Sequence, residues 1–278
     1  MAMKKRWVSI LLVLVLLAGA GILLYPLVSD YLNQLEQNRA IESYNQSAEA
    51  NNRELFDSMF ASADNFNQML YAKGSIAQLS PEELQSYHSI LNPKGNGDIG
   101  YVTIPKINVN LIIGHTVDTE VLRTKAGHME GSSFPVPGEN VHAVLSAHRG
   151  LPSASLFSDL DQMEVGDSFS VHVLDKTLEY RVVDIFIVLP EETEKLSIVP
   201  GKNYVTLMTC TPYGVNTHRM LVRGELVSES LKGDEETEPD TGLDAFLKKH
   251  GKILIPGAAA ALILLFLILL LPKRRGKK

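Results

Sequence analysis

The sequence predicts a mainly β domain between two transmembrane helices, with a helical region on its N-terminal side. Apolar segments lie near the two ends of the chain, at 8–28 and 253–271. Between 98 and 227, short apolar runs alternate with a period of two and are separated by Gly, Pro, Asn and Asp clusters. Such runs are typical of a β-sandwich or barrel.

Both apolar segments are long enough to cross a bilayer, since at about 1.5 Å per residue each reaches roughly 30 Å. Basic residues lie beyond them, in 1–7 and 272–278, so both termini are predicted to be cytoplasmic and the domain extracellular. A cleaved signal peptide is the alternative for 8–28, because Ala18-Gly19-Ala20 resembles a cleavage site. The apolar run continues beyond that site and favours an uncleaved anchor.

Residues 29–97 are predicted to be largely helical. An apolar stripe recurs there at steps of three and four residues, formed by Phe56, Met59, Ala63, Phe66 and Leu70. Ser80, Pro81 and two following acids predict the start of a short helix that ends near residue 91. The acidic segment 228–252 is most simply a solvated tether that ends in a juxtamembrane stretch.

Between the helical region and the acidic segment, the alternation of apolar and polar residues predicts seven strands. Their ranges are 101–104, 107–113, 141–148, 168–174, 177–189, 204–210 and 218–227.

Composition excludes several classes of function. A net charge of -6 argues against a nucleic-acid partner, and a single cysteine excludes an intrachain disulfide and a cysteine-rich zinc site.

The single cysteine, Cys210, is the first candidate for chemistry. It ends the strand 204–210, and Arg219 lies on the strand that returns after the loop 211–217. A guanidinium beside a thiol favours the thiolate and can hold a developing oxyanion. The alternatives are a buried, inert cysteine and an ordinary exposed arginine.

A cysteine nucleophile usually needs an acid/base partner, and histidine is the commonest. Alternation places His142 and His148 on the polar face of the strand 141–148, and His148 at its end projects at a rim. A metal site of these two histidines lacks a third ligand at convincing spacing. The remaining histidines are interpreted as surface or structural residues.

These residues resemble the sortase family of cysteine transpeptidases on Gram-positive cell surfaces. Residues 206–210 match its TLxTC motif, Arg219 its essential arginine, and 146–150 the region around its histidine. The two-span layout and three longer stretches, 100–111, 147–161 and 209–224, resemble the class C, pilus-assembling branch in particular.

The resemblance implies a closed, mostly antiparallel eight-stranded barrel with N-terminal helices. It implies that Cys210 attacks an LPxTG-like sorting signal of a pilin or surface protein and forms a thioester. A pilin lysine or a cell-wall precursor amine then resolves it. His148 would transfer protons, Arg219 would hold the oxyanion or the substrate backbone, and no cofactor or metal is implied.

One departure concerns the lid that class C members typically carry before the first strand, with an Asp-Pro-aromatic sequence. Ser80-Pro81-Glu82 stands near that place, so a more open site is expected, although 72–98 could cover it in another way. Three alternative functions stay open: a housekeeping sortase that anchors proteins to the wall, a non-catalytic membrane scaffold, and a hydrolytic cysteine protease.

Overall fold

A computed structural model describes residues 2–49, 53–74, 76 and 78–231. The helices are α1 (Ala2–Glu49), α2 (Arg53–Lys73), α3 (Pro81–Ser89) and α4 (Thr119–Leu122). The strands are β1 (Asp98–Ile104), β2 (Val109–His115), β3 (Ala126–His128), β4 (Val141–Ser146), β5 (Ser168–Val173), β6 (Lys176–Val188), β7 (Asn203–Thr211) and β8 (His218–Leu231). The predicted second span, 253–271, lies outside the described residues.

The eight strands close into a barrel in the order β1-β2-β3-β4-β7-β8-β6-β5. β2 pairs with β3 and β4 with β7 in parallel, and the other neighbours are antiparallel. The predicted closed, mostly antiparallel barrel is therefore confirmed. Two predicted strand ends were wrong. β2 begins at Val109 and not at Ile107, because a 3₁₀ turn over Pro105–Ile107 ends at Asn108 in a left-handed conformation. β4 ends at Ser146, so His148 follows the strand and does not end it.

The barrel interior is filled by the apolar residues that alternate along each strand. On β4 and β7 these are Ala143, Leu145, Val205 and Leu207. The side chains between them face outward, as the alternation predicted for the face that carries His142. The outer face of β4, β7 and β8 carries a second apolar cluster, described with the site below.

α1 packs against β1 and β2 through its second half. Its buried residues recur every three or four positions: Asp30, Asn33, Gln37, Ile41 and Tyr44. Gln37 accepts a hydrogen bond from the Ile112 amide at 3.0 Å and donates to the Thr124 carbonyl at 2.9 Å. Gln37 thus satisfies backbone groups of β2 and of the segment before β3 instead of burying apolar area.

The first half of α1 is apolar and largely exposed. Among the described residues, one helix is long and apolar enough to cross a membrane, with its candidate span within Val13–Ser47. A signal sequence would satisfy the same criteria of length and composition. The helix runs without interruption through Ala18-Gly19-Ala20, the segment that resembles a cleavage site.

α2 and α3 cover another part of the barrel. Most of the predicted α2 stripe is buried in the main core, with Met59 half-buried against it. Ser80 caps α3 as predicted: its hydroxyl accepts from the Glu83 amide at 3.3 Å, and the Glu83 carboxylate accepts from the Ser80 amide at 2.8 Å. Buried Tyr87 then fastens α3 to the barrel, since its hydroxyl lies 3.0 Å from Nδ1 of His128.

Candidate active site

Cys210 and Arg219 face each other across the β7–β8 pair. They are direct partners in the antiparallel register, which sets their Cα atoms about 5 Å apart, and both are half-buried. Nη1 of Arg219 donates to the carbonyls of Asn216 at 3.3 Å and His218 at 3.1 Å. These bonds hold the guanidinium against the loop backbone, and the direct pairing places the Arg219 side chain on the same face of the sheet as the thiol.

His148 follows β4, the parallel neighbour of β7 on its other side. Their register runs to the pair Ser146 and Met208, and the Ala147 amide still donates to the Met208 carbonyl at 3.1 Å. Parallel strands bring their C-terminal ends to one edge, so His148 leaves β4 at the level where β7 reaches Cys210. The structure thus brings the three predicted site residues to one rim: Cys210 on β7, Arg219 on β8, and His148 just after the end of β4.

Two threonines of the stretch 206–210 hold this arrangement in place. The Thr209 hydroxyl is buried and donates to the Ala147 carbonyl at 2.8 Å, which ties the end of β4 to β7. The Thr206 hydroxyl bonds Nε2 of His142 at 2.8 Å on the outer face of the barrel. The spacing of threonines before Cys210 therefore has a physical reason in the packing of two parallel strands.

Arg149 is a positioning residue that the sequence reasoning did not single out. Its side chain is only 8% exposed and pairs with Asp161. Its Nε donates to the Ser158 carbonyl at 3.1 Å, and Nη1 lies 3.4 Å from the Thr211 hydroxyl. It thereby links the loop after His148 to the residue after Cys210, and its place beside that histidine was the only sequence signal.

An apolar patch extends from the site along the outer face of the barrel. Its buried members are Val144, Leu196, Met208 and Leu221, with Ile76, Met129, Phe186 and Val188 half-buried against them. Met208 lies two residues before Cys210 and Leu221 two residues after Arg219, so the patch begins at the site. We call it the outer groove.

Ile76 belongs to the connection between α2 and α3, which lacks the Asp-Pro-aromatic sequence. It packs against the outer groove all the same. This contact fits the alternative that the segment 72–98 covers the site in another way, and the more open site stays a prediction. Period-based sequence reasoning cannot detect a single residue that packs from a loop.

Three other histidines are buried and structural. Burial lowers the pKa of His142 to about 4, and its Nδ1 lies 2.8 Å from the Ser197 carbonyl. Burial also lowers the pKa of His128 to about 3 and depresses that of His115. These rings stay neutral near pH 7, which agrees with the structural interpretation of His115 and His128. His250 lies outside the described residues.

Fold and site together define a class: a closed β-barrel protein with a cysteine-centred site at one rim. The sortase domain model matches residues 102–227, and the chain belongs to the sortase family. Sortases are cysteine transpeptidases. The family resemblance read from the sequence is confirmed.

Solved structures of similar proteins include class C sortases. Sortase C1 from Streptococcus agalactiae is 43% identical, with a TM-score of 0.67 over 68% of this chain and 98% of that one. Sortase C from Streptococcus pneumoniae is 37% identical, with a TM-score of 0.62 over 69% and 98%. Among curated relatives, Sortase A from Streptococcus agalactiae is 33% identical over 56% of this chain and 62% of its own length.

Proposed function

We propose that this chain is a membrane-anchored sortase that cleaves an LPxTG-like sorting signal and joins the acyl group to an amine. The observation that carries the proposal is the direct pairing of Cys210 with Arg219 beside the end of β4, where His148 starts its loop. These groups supply a nucleophile, an oxyanion donor and a proton carrier at one rim.

In the first half-reaction, the thiolate of Cys210 attacks the carbonyl carbon before the bond to be cut. Arg219 donates to the oxyanion that forms on that carbonyl. When the intermediate collapses, the C–N bond breaks and His148 gives its proton to the leaving amine. The acyl group remains on Cys210 as a thioester.

In the second half-reaction, an acceptor amine attacks the thioester carbonyl. His148, now neutral, takes the proton from that amine, and the thiolate of Cys210 leaves. An amide bond has replaced the thioester, and the site returns to its starting state. Water in place of the amine would give hydrolysis instead.

The outer groove is proposed to bind the apolar part of the sorting signal. It begins beside Cys210 and is lined by aliphatic, methionine and phenylalanine side chains, which suit leucine and proline residues. Ile76 lies in the same groove, so the signal must displace it to bind. The connection between α2 and α3 thereby tunes access to the site.

A pilin lysine is the proposed acceptor, with a cell-wall precursor amine as the alternative. Support comes from the similarity to sortase C1 and to the pneumococcal sortase C, an enzyme with pilin substrate specificity. The test incubates the enzyme with a sorting-signal peptide, a pilin lysine peptide and a cell-wall peptide, and identifies the products by mass spectrometry. The expected product is the conjugate with the pilin lysine peptide. Transfer to the cell-wall peptide alone would identify a housekeeping sortase.

Replacing Cys210 with alanine tests the reaction itself. The variant should form no thioester and transfer no acyl group, while its circular dichroism matches that of the parent. Retained transfer in the Cys210→Ala variant would overturn the mechanism. A parent protein that releases only acid would be a hydrolytic protease, and one that does not react at all would be a scaffold.

The anchor is also part of the proposal. An uninterrupted α1, docked on the barrel through its second half, supports an uncleaved span over 8–28, with a second span at 253–271. Protease added to intact protoplasts should digest the region between the spans and spare a tag at either terminus. Digestion of a C-terminal tag from outside would contradict this topology.

A further inference from the structure

α1 docks at both ends of the barrel, which orients the barrel relative to the helix axis. Near residue 30 it contacts the loop after His148: the Ser29 hydroxyl donates to the Ser153 carbonyl at 3.1 Å, and the Asp30 carboxylate accepts from the Ser155 amide at 2.6 Å. The segment of α1 that lies beside the candidate site is thus the one that directly follows the proposed first span.

The other end of the docked segment lies at the opposite end of the barrel. The Tyr44 hydroxyl donates to the Ile99 carbonyl at 2.6 Å and accepts from the Leu174 amide at 3.0 Å. Leu174 lies at the β5–β6 turn, whereas the far end of β6, Val188, pairs with Arg219. From residue 30 to residue 44 the helix rises about 21 Å, roughly the length of a barrel strand.

It follows that the apolar half of α1 leaves the barrel from the end that carries Cys210. A bilayer around residues 8–28 would therefore face the candidate site, and the β5–β6 turn would point away from it. The surface of this end determines what touches the lipid.

At this end, the loop 212–217 carries two exposed apolar side chains. Tyr213 is 63% exposed and Val215 64% exposed, and the loop contains no charged residue. Tyr213 is held in place from below, because its ring packs on Gly150 and lies 5.7 Å from the Arg149 guanidinium. A Cβ at Gly150 would come within 3.1 Å of that ring, and its φ of +77° also favours glycine.

The loop that packs under Tyr213 also contacts α1 near residue 30. Gly150 and the Ser153 that bonds α1 are three residues apart in one loop, which an isolated bridge between Leu151 and Ala154 closes. The exposed tip and the end of the proposed span are therefore neighbours on one surface. The charge of Arg149, whose guanidinium lies over the Tyr213 ring, is paired with Asp161.

We propose that the loop 212–217 rests on the lipid surface, with Tyr213 and Val215 in the headgroup layer. Tyrosine is favoured at membrane interfaces because its ring is apolar and its hydroxyl polar, and small apolar side chains partition there too. The contact would hold Cys210 beside the membrane, where a substrate that is itself membrane-bound would present its scissile bond. This inference rests on the proposed anchor, not on the identity of the acceptor.

The test measures the depth of the loop in the full chain. Cys210→Ala removes the single cysteine, so a polarity-sensitive fluorophore can be placed uniquely at Val215→Cys. The matched control is Leu231→Cys, an exposed apolar position at the other end of β8. In phosphatidylglycerol–phosphatidylethanolamine vesicles, the label at 215 should shift to the blue and be quenched by nitroxide lipids, and the label at 231 should not.

An equally aqueous signal at both positions, in protein that floats with the vesicles, would overturn the lipid contact. A shift that appears only after a pilin is added would also overturn it and identify a protein partner. Protein that does not float would refute the anchor and this inference with it, whereas turnover of a soluble sorting-signal peptide tests the catalytic proposal separately.

A functional readout follows from one further pair of variants. Val215→Asp should lower turnover of a membrane-tethered sorting peptide about threefold, because a charge near the interface is unfavourable. Turnover of the soluble peptide should stay the same, and Leu231→Asp should change neither. Equal turnover of the tethered peptide by Val215→Asp and the parent would count against the proposal.

Discussion

Replacing Arg219 with lysine separates two roles that the arginine could have beside Cys210. The substitution keeps the positive charge opposite the thiol but loses the planar fork of donors. In the structure, Nη1 bonds the Asn216 and His218 carbonyls, and the guanidinium carries further N–H donors that can bond an oxyanion. A lysine ammonium cannot bind the loop and reach the oxyanion in one fixed geometry.

We expect Arg219→Lys to lower kcat by about 10²–10³-fold, the usual effect of losing one oxyanion donor, which corresponds to about 2.7–4 kcal/mol. KM for the sorting-signal peptide should change less, because the oxyanion exists only in the transition state. The assay is steady-state turnover with an amine acceptor, combined with the rate of thioester formation in a single turnover.

The matched control is Arg181→Lys, an exposed arginine on β6 far from Cys210, which should leave turnover unchanged. If Arg219 only maintained the thiolate through its charge, lysine would largely suffice. Near-normal turnover of Arg219→Lys would therefore refute the oxyanion role.

Three further variants test other parts of the site and fold. His148→Ala should lower turnover about 10²–10⁴-fold by removing proton transfer, and single-turnover assays with unchanged thioester formation and resolution would contradict this. Ile76→Asp should raise the labelling rate of Cys210 by a peptide-sized thiol reagent about tenfold, since a half-buried isoleucine contributes about 1.4 kcal/mol, while Gln78→Asp on the same connection should not. Because the folded pKa of His142 lies below the ordinary value of 6.5, stability should fall as pH drops from about 6.5 towards 4. Between pH 7 and 5, His142 alone should lower the free energy of unfolding by about 2 kcal/mol. Denaturant unfolding of a His142→Gln variant should therefore show a pH-dependent loss that is smaller by this amount. An unchanged pH dependence in that variant would show that His142 is not the neutral, buried group.

Much of the site was predictable because its signals are local. The alternation predicted the outward face of β4 that carries His142, and the hairpin spacing predicted Arg219 opposite Cys210. The parallel pairing of β4 with β7 was not predictable from alternation, because a period of two says which face a residue occupies but not which strand lies beside it. That pairing brings His148 to the level of Cys210.

The same distinction holds for the N-terminal region. The α2 stripe and the Ser80 cap were readable, since both depend on residues three or four apart. The buried stripe of α1 could not be predicted from apolar periodicity, because Asp30 and Gln37 are polar residues that bond backbone groups far away in the chain. The three-residue β3 is too short to show any period.

The sequence by itself determined the candidate reacting groups, the length of the apolar segments and the class of the domain. These depend on residue type and near-neighbour spacing, which a single chain displays directly. Only the tertiary structure decided that Ile76 packs against the outer groove and that α1 leaves the barrel beside Cys210. Both features arise from contacts between distant segments, which barrel closure establishes and local spacing does not encode.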